Sequence, residues 1–370
     1  MRIGIVAILG TIGGPRDLVI NQIKVLSKED TQNTYVIFCD TKEPIKDISN
    51  IKIIEVKPYS NILSLWWEQV AVPLAVRRER IDVVYHSKNV VPLMRFAKYM
   101  VYIHDMAPFL MEETFSPLRR LYIKLNIPLA AKLSDKIVTG SMSAKQDIIK
   151  ILKVPEKKVA LIYPGIGPQY QILSDKGLLE RTRRNYRLPE SFLLYVGTIQ
   201  PRKNIASIIR ALGLLKEEGI HEHLVIVGRA GWALEEIRRL IRELGLESQV
   251  TFTSNVPDAD LVSIYNLAKA FVYPSFYEGF GLAIAEAMAC GVPVISSKIS
   301  SIPEVVGDAG ILINPYDVEE LKRSIRRVIG DADLRKDMRE KGLEKVKEYS
   351  WKNYAKQFSA LLFELGRRTG

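Results

Sequence analysis

The chain reads as an α/β protein of two domains, each a doubly wound parallel sheet with helices on both faces. Three observations carry that reading. Short apolar runs alternate with helical stretches, and the whole alternation occurs twice. The runs are apolar throughout rather than at every second residue, as strands covered on both faces must be. The 370 residues are too many for one ordinary core and suit two, and 47% of them are apolar, enough to fill both.

In the first half, strands are expected at 2–9, 35–40, 51–56, 82–85, 100–104, 136–139 and 159–163. Pro-Gly-Ile-Gly-Pro at 164–168 then breaks the pattern and marks the crossing between domains, where a cleft is expected. In the second half, strands are expected at 192–196, 223–227, 250–253, 270–273, 292–296 and 310–313. From 318 to 365 the chain is helical, with an interruption at Glu-Tyr-Ser-Trp, 348–351, where Ser350 suits the N-cap of a last helix.

Composition narrows the class. No run reaches the ~18 uncharged apolar residues of a membrane span. Residues 3–14 could pass for a short signal sequence, but Gly10, Gly13 and Gly14 followed by Pro-Arg-Asp at 15–17 read as a strand entering a phosphate-type loop, so a cytoplasmic protein is expected. Cys39 and Cys290 fall in different domains at element ends, as buried thiols rather than a bridge. No pattern has metal-ligand spacing, and no metal or other cofactor is expected. The net charge of +11 is uneven: residues 1–170 carry 24 Lys and Arg against 16 Asp and Glu. In that half Arg77, Arg78, Arg80, Arg119, Arg120 and Lys124 alternate with Trp66, Trp67, Phe115, Leu118 and Tyr122, a mixture that suits an anionic membrane surface, although solvated helix faces would read the same. Scattered basic residues with no recognition module argue against nucleic acid.

The stretch 276–295, Phe-Tyr-Glu-Gly-Phe-Gly-Leu-Ala-Ile-Ala-Glu-Ala-Met-Ala-Cys-Gly-Val-Pro-Val-Ile, is the most informative in the chain. Gly279 and Gly281 let the backbone turn and approach a ligand closely. A helix opens near Leu282, and its free N–H groups and positive dipole end favour an anion. Gly291 and Pro293 stop it. Glu278 in the loop and Glu286 in the helix are acceptors for hydroxyls, the first suited to a sugar ring and the second to a ribose; the bland reading makes both solvated surface acids.

A Glu, seven intervening residues and a second Glu, with Gly-Phe-Gly after the first, resembles the signature of retaining, nucleotide-sugar-dependent glycosyltransferases of the glycogen-synthase-like and mannosyltransferase superfamily (glycosyltransferase family 4, group 1). The likeness extends to Val-Gly-Thr-Ile-Gln-Pro-Arg-Lys-Asn at 196–204 and to Ser-Ser-Ile-Pro-Glu-Val-Val-Gly-Asp-Ala at 300–309. It implies the GT-B fold, in which two Rossmann-like domains face each other across a cleft and a C-terminal helix crosses back to the first. The expected domains are 1–168 plus 350–370 for the acceptor and 169–349 for the nucleotide sugar.

Breaking an anomeric C–O bond places negative charge on the leaving diphosphate, so cations aimed there act mainly in the transition state. Arg202 and Lys203 follow the strand 192–196 through the turn that begins at Gly197, at the carboxyl edge where open α/β sheets bind ligands. Many relatives carry an Arg directly after that glycine; here it is Thr198. Phe280, Gly281 and Leu282 are expected against the donor phosphates, and Gly228 near the nucleobase. The resemblance implies that His104 reaches the donor sugar from the first domain while Asp105 positions its loop. His86 sits at a similar edge and is a candidate for the acceptor, as are Trp66, Trp67, Glu68 and Gln69; His221 and His223 read as surface. Gly13 and Gly14 are expected near the donor phosphates, but their spacing with Gly10 is not Gly-x-Gly-x-x-Gly, which counts against an oxidoreductase.

The expected activity is metal-independent, retaining transfer of a hexose to a glycan or lipid-linked acceptor, with mannose from GDP-mannose favoured and a UDP-sugar as second choice. A nucleotide-sugar epimerase of similar shape and a non-enzymatic sugar or anionic-lipid binding module are the alternatives. Acceptor, linkage and oligomeric state are not legible.

Overall fold

A computed structural model describes residues 1–7, 9, 14–55, 66–254 and 256–367. Gly10 and Gly13 lie outside the described residues, and Gly14 opens the first helix, Gly14–Glu29. The chain divides into two compact units, Met1–Gly165 with Tyr349–Gly370, and Ile166–Glu348.

The first unit holds seven parallel strands: β1 (Arg2–Ala7), β2 (Thr34–Cys39), β3 (Ile51–Glu55), β4 (Val83–His86), β5 (Lys98–Tyr102), β6 (Lys136–Thr139) and β7 (Val159–Leu161), in the order β3-β2-β1-β4-β5-β6-β7. The second holds six: β8 (Leu193–Val196), β9 (Leu224–Val227), β10 (Val250–Thr253), β11 (Ala270–Tyr273), β12 (Val294–Ser297) and β13 (Gly310–Ile313), in the order β10-β9-β8-β11-β12-β13. Every expected strand is present, and the predicted α/β class holds. Both sheets are wound outward from their first strand, so the direction of winding reverses between β1 and β4 and between β8 and β11. Such a reversal opens a crevice at the carboxyl ends of the strands, where this architecture binds ligands.

The alternation of side chains along a strand explains the apolar runs. In β1, Ile3, Ile5 and Ala7 point into one core while Val6 joins Val36, Phe38, Val84 and Val101 in the core on the other face. The helix Trp351–Arg367 closes the first of these. Its Tyr354, Phe358, Leu361, Leu362 and Leu365 recur at helical spacing and are all buried there, with the Phe358 ring edge-on to Tyr85 at 4.8 Å. Asp30 anchors the same helix, accepting hydrogen bonds from Ser359 Oγ and Tyr35 Oη at 2.7 Å each. Cys39 and Cys290 are buried free thiols. Among the described residues no helix is long and apolar enough to cross a membrane.

Candidate functional site

In the second unit, the loops leaving β8 and β11 meet at the reversal point. After β8 the chain makes one 3₁₀ turn, Pro201–Lys203, and Asn204 takes the left-handed conformation (φ 55°) before the helix Ile205–Glu217. Asn204 is buried and holds the turn in place: its amide donates to the Pro274 and Pro315 carbonyls at 3.0 and 2.8 Å and accepts from Ser207 Oγ at 2.7 Å. The turn thereby presents Arg202 and Lys203 to the loop after β11.

There Lys203 Nζ donates to both carboxylate oxygens of Glu278, at 2.7 and 3.0 Å, and to Tyr273 Oη at 2.5 Å. Arg202 Nη1 lies 3.4 Å from Glu278 Oε2 and donates to the Tyr277 carbonyl. Glu278 is only 7% exposed. Burial alone would raise its pKa, but the charges of Lys203 and then Arg202, with the Lys203 hydrogen bond, outweigh it and leave the carboxyl at about 2. Its backbone is pinned as well. Glu278 N–H donates to Ser300 Oγ at 3.0 Å, while the Ser300 and Ser301 hydroxyls donate to the Glu278 carbonyl at 2.5 and 3.0 Å. Two cations thus share one buried carboxylate and leave the cluster with a single net positive charge.

Beside this cluster, Gly197 and Gly228 close β8 and β9 and pass each other backbone to backbone. A Cβ on Gly228 would stand 2.1 Å from the Gly197 carbonyl oxygen, at φ +152°, so the crossing tolerates no side chain. Gly281, at φ +96°, is the N-cap of the helix Leu282–Ala289, and no side chain caps that end. Phe280 is buried and Leu282 half-buried. Glu286 lies one turn into the helix and accepts from Tyr265 Oη at 3.2 Å; Tyr170 is stacked edge-on to Tyr265 at 6.0 Å.

The first unit carries its own set of polar groups at the carboxyl edge. His104 stands two residues past the end of β5, not within the strand, because β5 starts earlier than expected and stops at Tyr102. Its Nε2 lies 3.3 Å from the Ser87 carbonyl and its ring is edge-on to Tyr102. Burial lowers its pKa against the opposing pull of Asp105, so the imidazole is neutral near pH 7. Asp105 accepts from Ala107 N–H at 2.9 Å and so starts the helix Ala107–Leu110. His86 is the last residue of β4 and is sealed in the sheet; burial pushes it down to about 3, and it offers no surface to an acceptor. Trp66 is exposed at 54% whereas Trp67 is a core residue at 1%, and Glu68 beside it is buried. His221 is exposed and His223 half-buried.

The structure therefore gathers Arg202, Lys203 and Glu278 into one cluster, sets Gly197 and Gly228 at one crossing and Phe280, Gly281 and Leu282 along one loop, and gives Glu286 tyrosine partners. His104 belongs to the other unit. Tyr273, Ser300, Ser301, Tyr265 and Tyr170 take part without having been singled out as ligands or supports. Tyr273 ends an apolar strand and carried no signal; the serines lay in a motif noted for its likeness alone. Among the described residues no group of three or more His, Cys, Asp or Glu side chains could hold a metal ion.

Known proteins resemble the chain over most of its length. The family model described as Glycosyltransferase Family 4 matches residues 12–170, and that described as Glycosyl transferases group 1 matches residues 180–345. O-antigen chain mannosyltransferase B of Escherichia coli is 32% identical over 281 residues, 76% of this chain and 74% of that protein. Serotype-specific mannosyltransferase WbdA of Escherichia coli is 33% identical over 259 residues, 68% of this chain; the match spans 32% of that longer relative. Among solved structures, Anabaena Alr3699/HepE in complex with UDP-glucose superposes with a TM-score of 0.81 at 19% identity, covering 98% of this chain and 100% of that one, a likeness of fold.

Proposed function

Because this chain belongs to the group 1 glycosyltransferases of glycosyltransferase family 4, we propose that it moves a mannosyl unit from GDP-mannose to a glycan or lipid-linked acceptor, with retention at the anomeric carbon and without a metal. The O-antigen relatives named above support mannose; a UDP-sugar is the second choice of donor. The observation that carries the reading is the Arg202–Lys203–Glu278 cluster at the reversal point of the second sheet.

Departure of the nucleotide diphosphate loads negative charge onto oxygens that need fixed cations, and Arg202 and Lys203 are already held, half-desolvated, in one place. Lys203 brings a compact ammonium and Arg202 a fork for two phosphate oxygens. Glu278 stays ionised at any cellular pH, so its part is not proton donation. It keeps the two cations together before the donor arrives, and its oxygens accept from sugar hydroxyls and face the positive charge that develops on the ring. The helix start at Phe280, Gly281 and Leu282 offers N–H groups to phosphate, and the bare crossing of Gly197 and Gly228 gives the nucleotide a surface without side chains. Glu286 would hold the ribose, and His104, neutral, would hydrogen-bond the hexose from the first unit. Gly14 and the preceding Gly13 complete the proposed donor contacts.

We also assign the first unit to an anionic membrane surface. The helix Pro117–Leu133 exposes Leu118, Leu121, Tyr122, Leu125 and Leu129 at helical spacing, Leu118 at 83%, with Arg120 and Lys124 alongside. The experiment is incubation with a panel of nucleotide sugars, with and without lipid-linked glycan, while nucleotide diphosphate release is followed. GDP release from GDP-mannose that rises with acceptor, and a mannosylated product of retained configuration, is the expected result. Free sugar epimers without an acceptor would favour an epimerase, and no turnover with any donor would favour a binding module.

A further inference from the structure

A cavity of about 420 Å³ opens in the second unit, on the side of its sheet that the proposed reaction does not use. It is lined by the backbone entering two strands, Ala268 and Lys269 before β11 and Val292 and Pro293 before β12. The cavity therefore lies at the amino edge, whereas the Arg202–Lys203–Glu278 cluster lies at the carboxyl edge. One element reaches both. The helix Leu282–Ala289 starts from Gly281, shortly after Glu278, and ends at Cys290, which lines the cavity and donates its N–H to the Glu286 carbonyl at 3.0 Å. Its eight residues set the two ends about 12 Å apart, too far for one small anion to serve both.

Lys269, Arg335, Lys336 and Arg339 line the cavity, and no Asp or Glu does. Two of these cations are committed. Lys269 Nζ pairs with Glu222 Oε1 at 2.9 Å, and Arg335 Nη1 donates to the Val328 and Ile329 carbonyls at 2.7 and 2.9 Å, at the end of the helix Val318–Gly330. Lys336 and Arg339, on the helix Ala332–Lys345, are exposed and form no ion pair with a described residue; Asp337 between them is held by Lys341 at 2.8 Å. Gly291, at φ +73°, lets Arg339 come close: a Cβ there would stand 3.0 Å from Arg339 Nε and 3.3 Å from Ile172 Cγ1. Ile172 and Leu173 add an apolar side to the cavity. Asn266 fixes that side, its Oδ1 accepting from Leu173 N–H at 2.8 Å and its Nδ2 donating to the Gln171 carbonyl at 2.9 Å.

We infer that this cavity binds a phosphate monoester, with the phosphate held by Lys336 and Arg339 and its carbon substituent against Ile172, Leu173 and Pro293. Arg339 supplies a fork for two oxygens and Lys336 a mobile ammonium. The volume exceeds what bare phosphate fills and falls in the range of small-ligand sites. Apolar surface covered by the substituent strengthens binding beyond the charge alone. A soluble metabolite and a lipid headgroup present the same group, and the test tells them apart.

Binding needs no turnover, so calorimetric titration with inorganic phosphate, phenyl phosphate and phenol tests the site independently of the proposed transfer. Phenyl phosphate should bind at least fivefold more tightly than inorganic phosphate, and phenol not at all. Lys336→Gln with Arg339→Gln should weaken phenyl phosphate at least tenfold. The charge-matched Arg238→Gln with Arg239→Gln, and Lys203→Ala at the other edge, should each stay within twofold of the parent. Ile172→Ser should bring phenyl phosphate down to the affinity of inorganic phosphate and leave the latter unchanged. These surface variants should melt within about 2 °C of the parent. Binding confined to vesicles that carry phosphatidic acid, and lost in the Lys336–Arg339 variant, would assign the phosphate to a lipid headgroup. Phenyl phosphate affinity that survives that variant or disappears with Lys203→Ala overturns the assignment, as does a parent that binds no phosphate probe in solution or on vesicles.

Discussion

Lys203 contacts both oxygens of Glu278 across 75 residues of sequence. Lys203→Ala should leave a folded protein whose nucleotide release is slower by roughly 10²–10³, the cost of losing one preorganised group at a developing oxyanion. Circular dichroism together with nucleotide release checks it; near-parental turnover would remove Lys203 from the reaction. Glu278 makes a separate statement about pH. Its folded pKa is about 2 against an ordinary 4.5, so the stabilisation it contributes is complete above about 4.5 and fades as pH falls toward 2. Glu278→Gln should flatten melting temperature against pH in that window. It should also cost about 3 kcal/mol at neutral pH, because two cations lose their shared counter-charge. The positions of these residues after strands were legible in the sequence. Their pairing was not, since nothing in spacing tells which distant loops touch.

At the level of elements, the strands were legible because helices cover both faces and every side chain must be apolar. Ends were less so: β5 runs from Lys98, a residue whose charge sits at the sheet margin, and its early stop at Tyr102 puts His104 in the loop. Trp66 and Trp67 looked alike in sequence, yet neighbouring positions on a helix face different ways, and one is exposed to solvent while the other is in the core. The exposed face of Pro117–Leu133 is a second case, since its leucines have the spacing of a core stripe and meet no core. Leu121→Glu with Leu125→Glu should abolish co-sedimentation with vesicles of anionic lipid while leaving the fold intact, and the parent's binding should weaken as salt is raised. Binding that ignores both salt and the double substitution would sink the membrane assignment. For the glycine crossing, Gly228→Ala forces backbone apart at the end of β8 and β9. A drop in melting temperature and loss of nucleotide binding, read by calorimetry and titration, are expected.

At the level of the molecule, the sequence order of the two units and their spatial membership differ: one unit is a single uninterrupted stretch, whereas the other is assembled from both ends of the chain. Phe358, far along the sequence, therefore supports β1 and β4. Phe358→Ala should cost about 3–5 kcal/mol, and hydrogen exchange should show the loss in β1, β2 and β4 rather than in β8 to β13. Equal loss in both sets of strands would contradict the division into two units. The same arrangement bears on how the protein is born. A ribosome delivers residues 166–348 as a contiguous piece that has everything it needs to fold, while the sheet made earlier must wait, with one face uncovered, for residues 349–367 to emerge. Of the two halves, the one translated second is the one that should finish first.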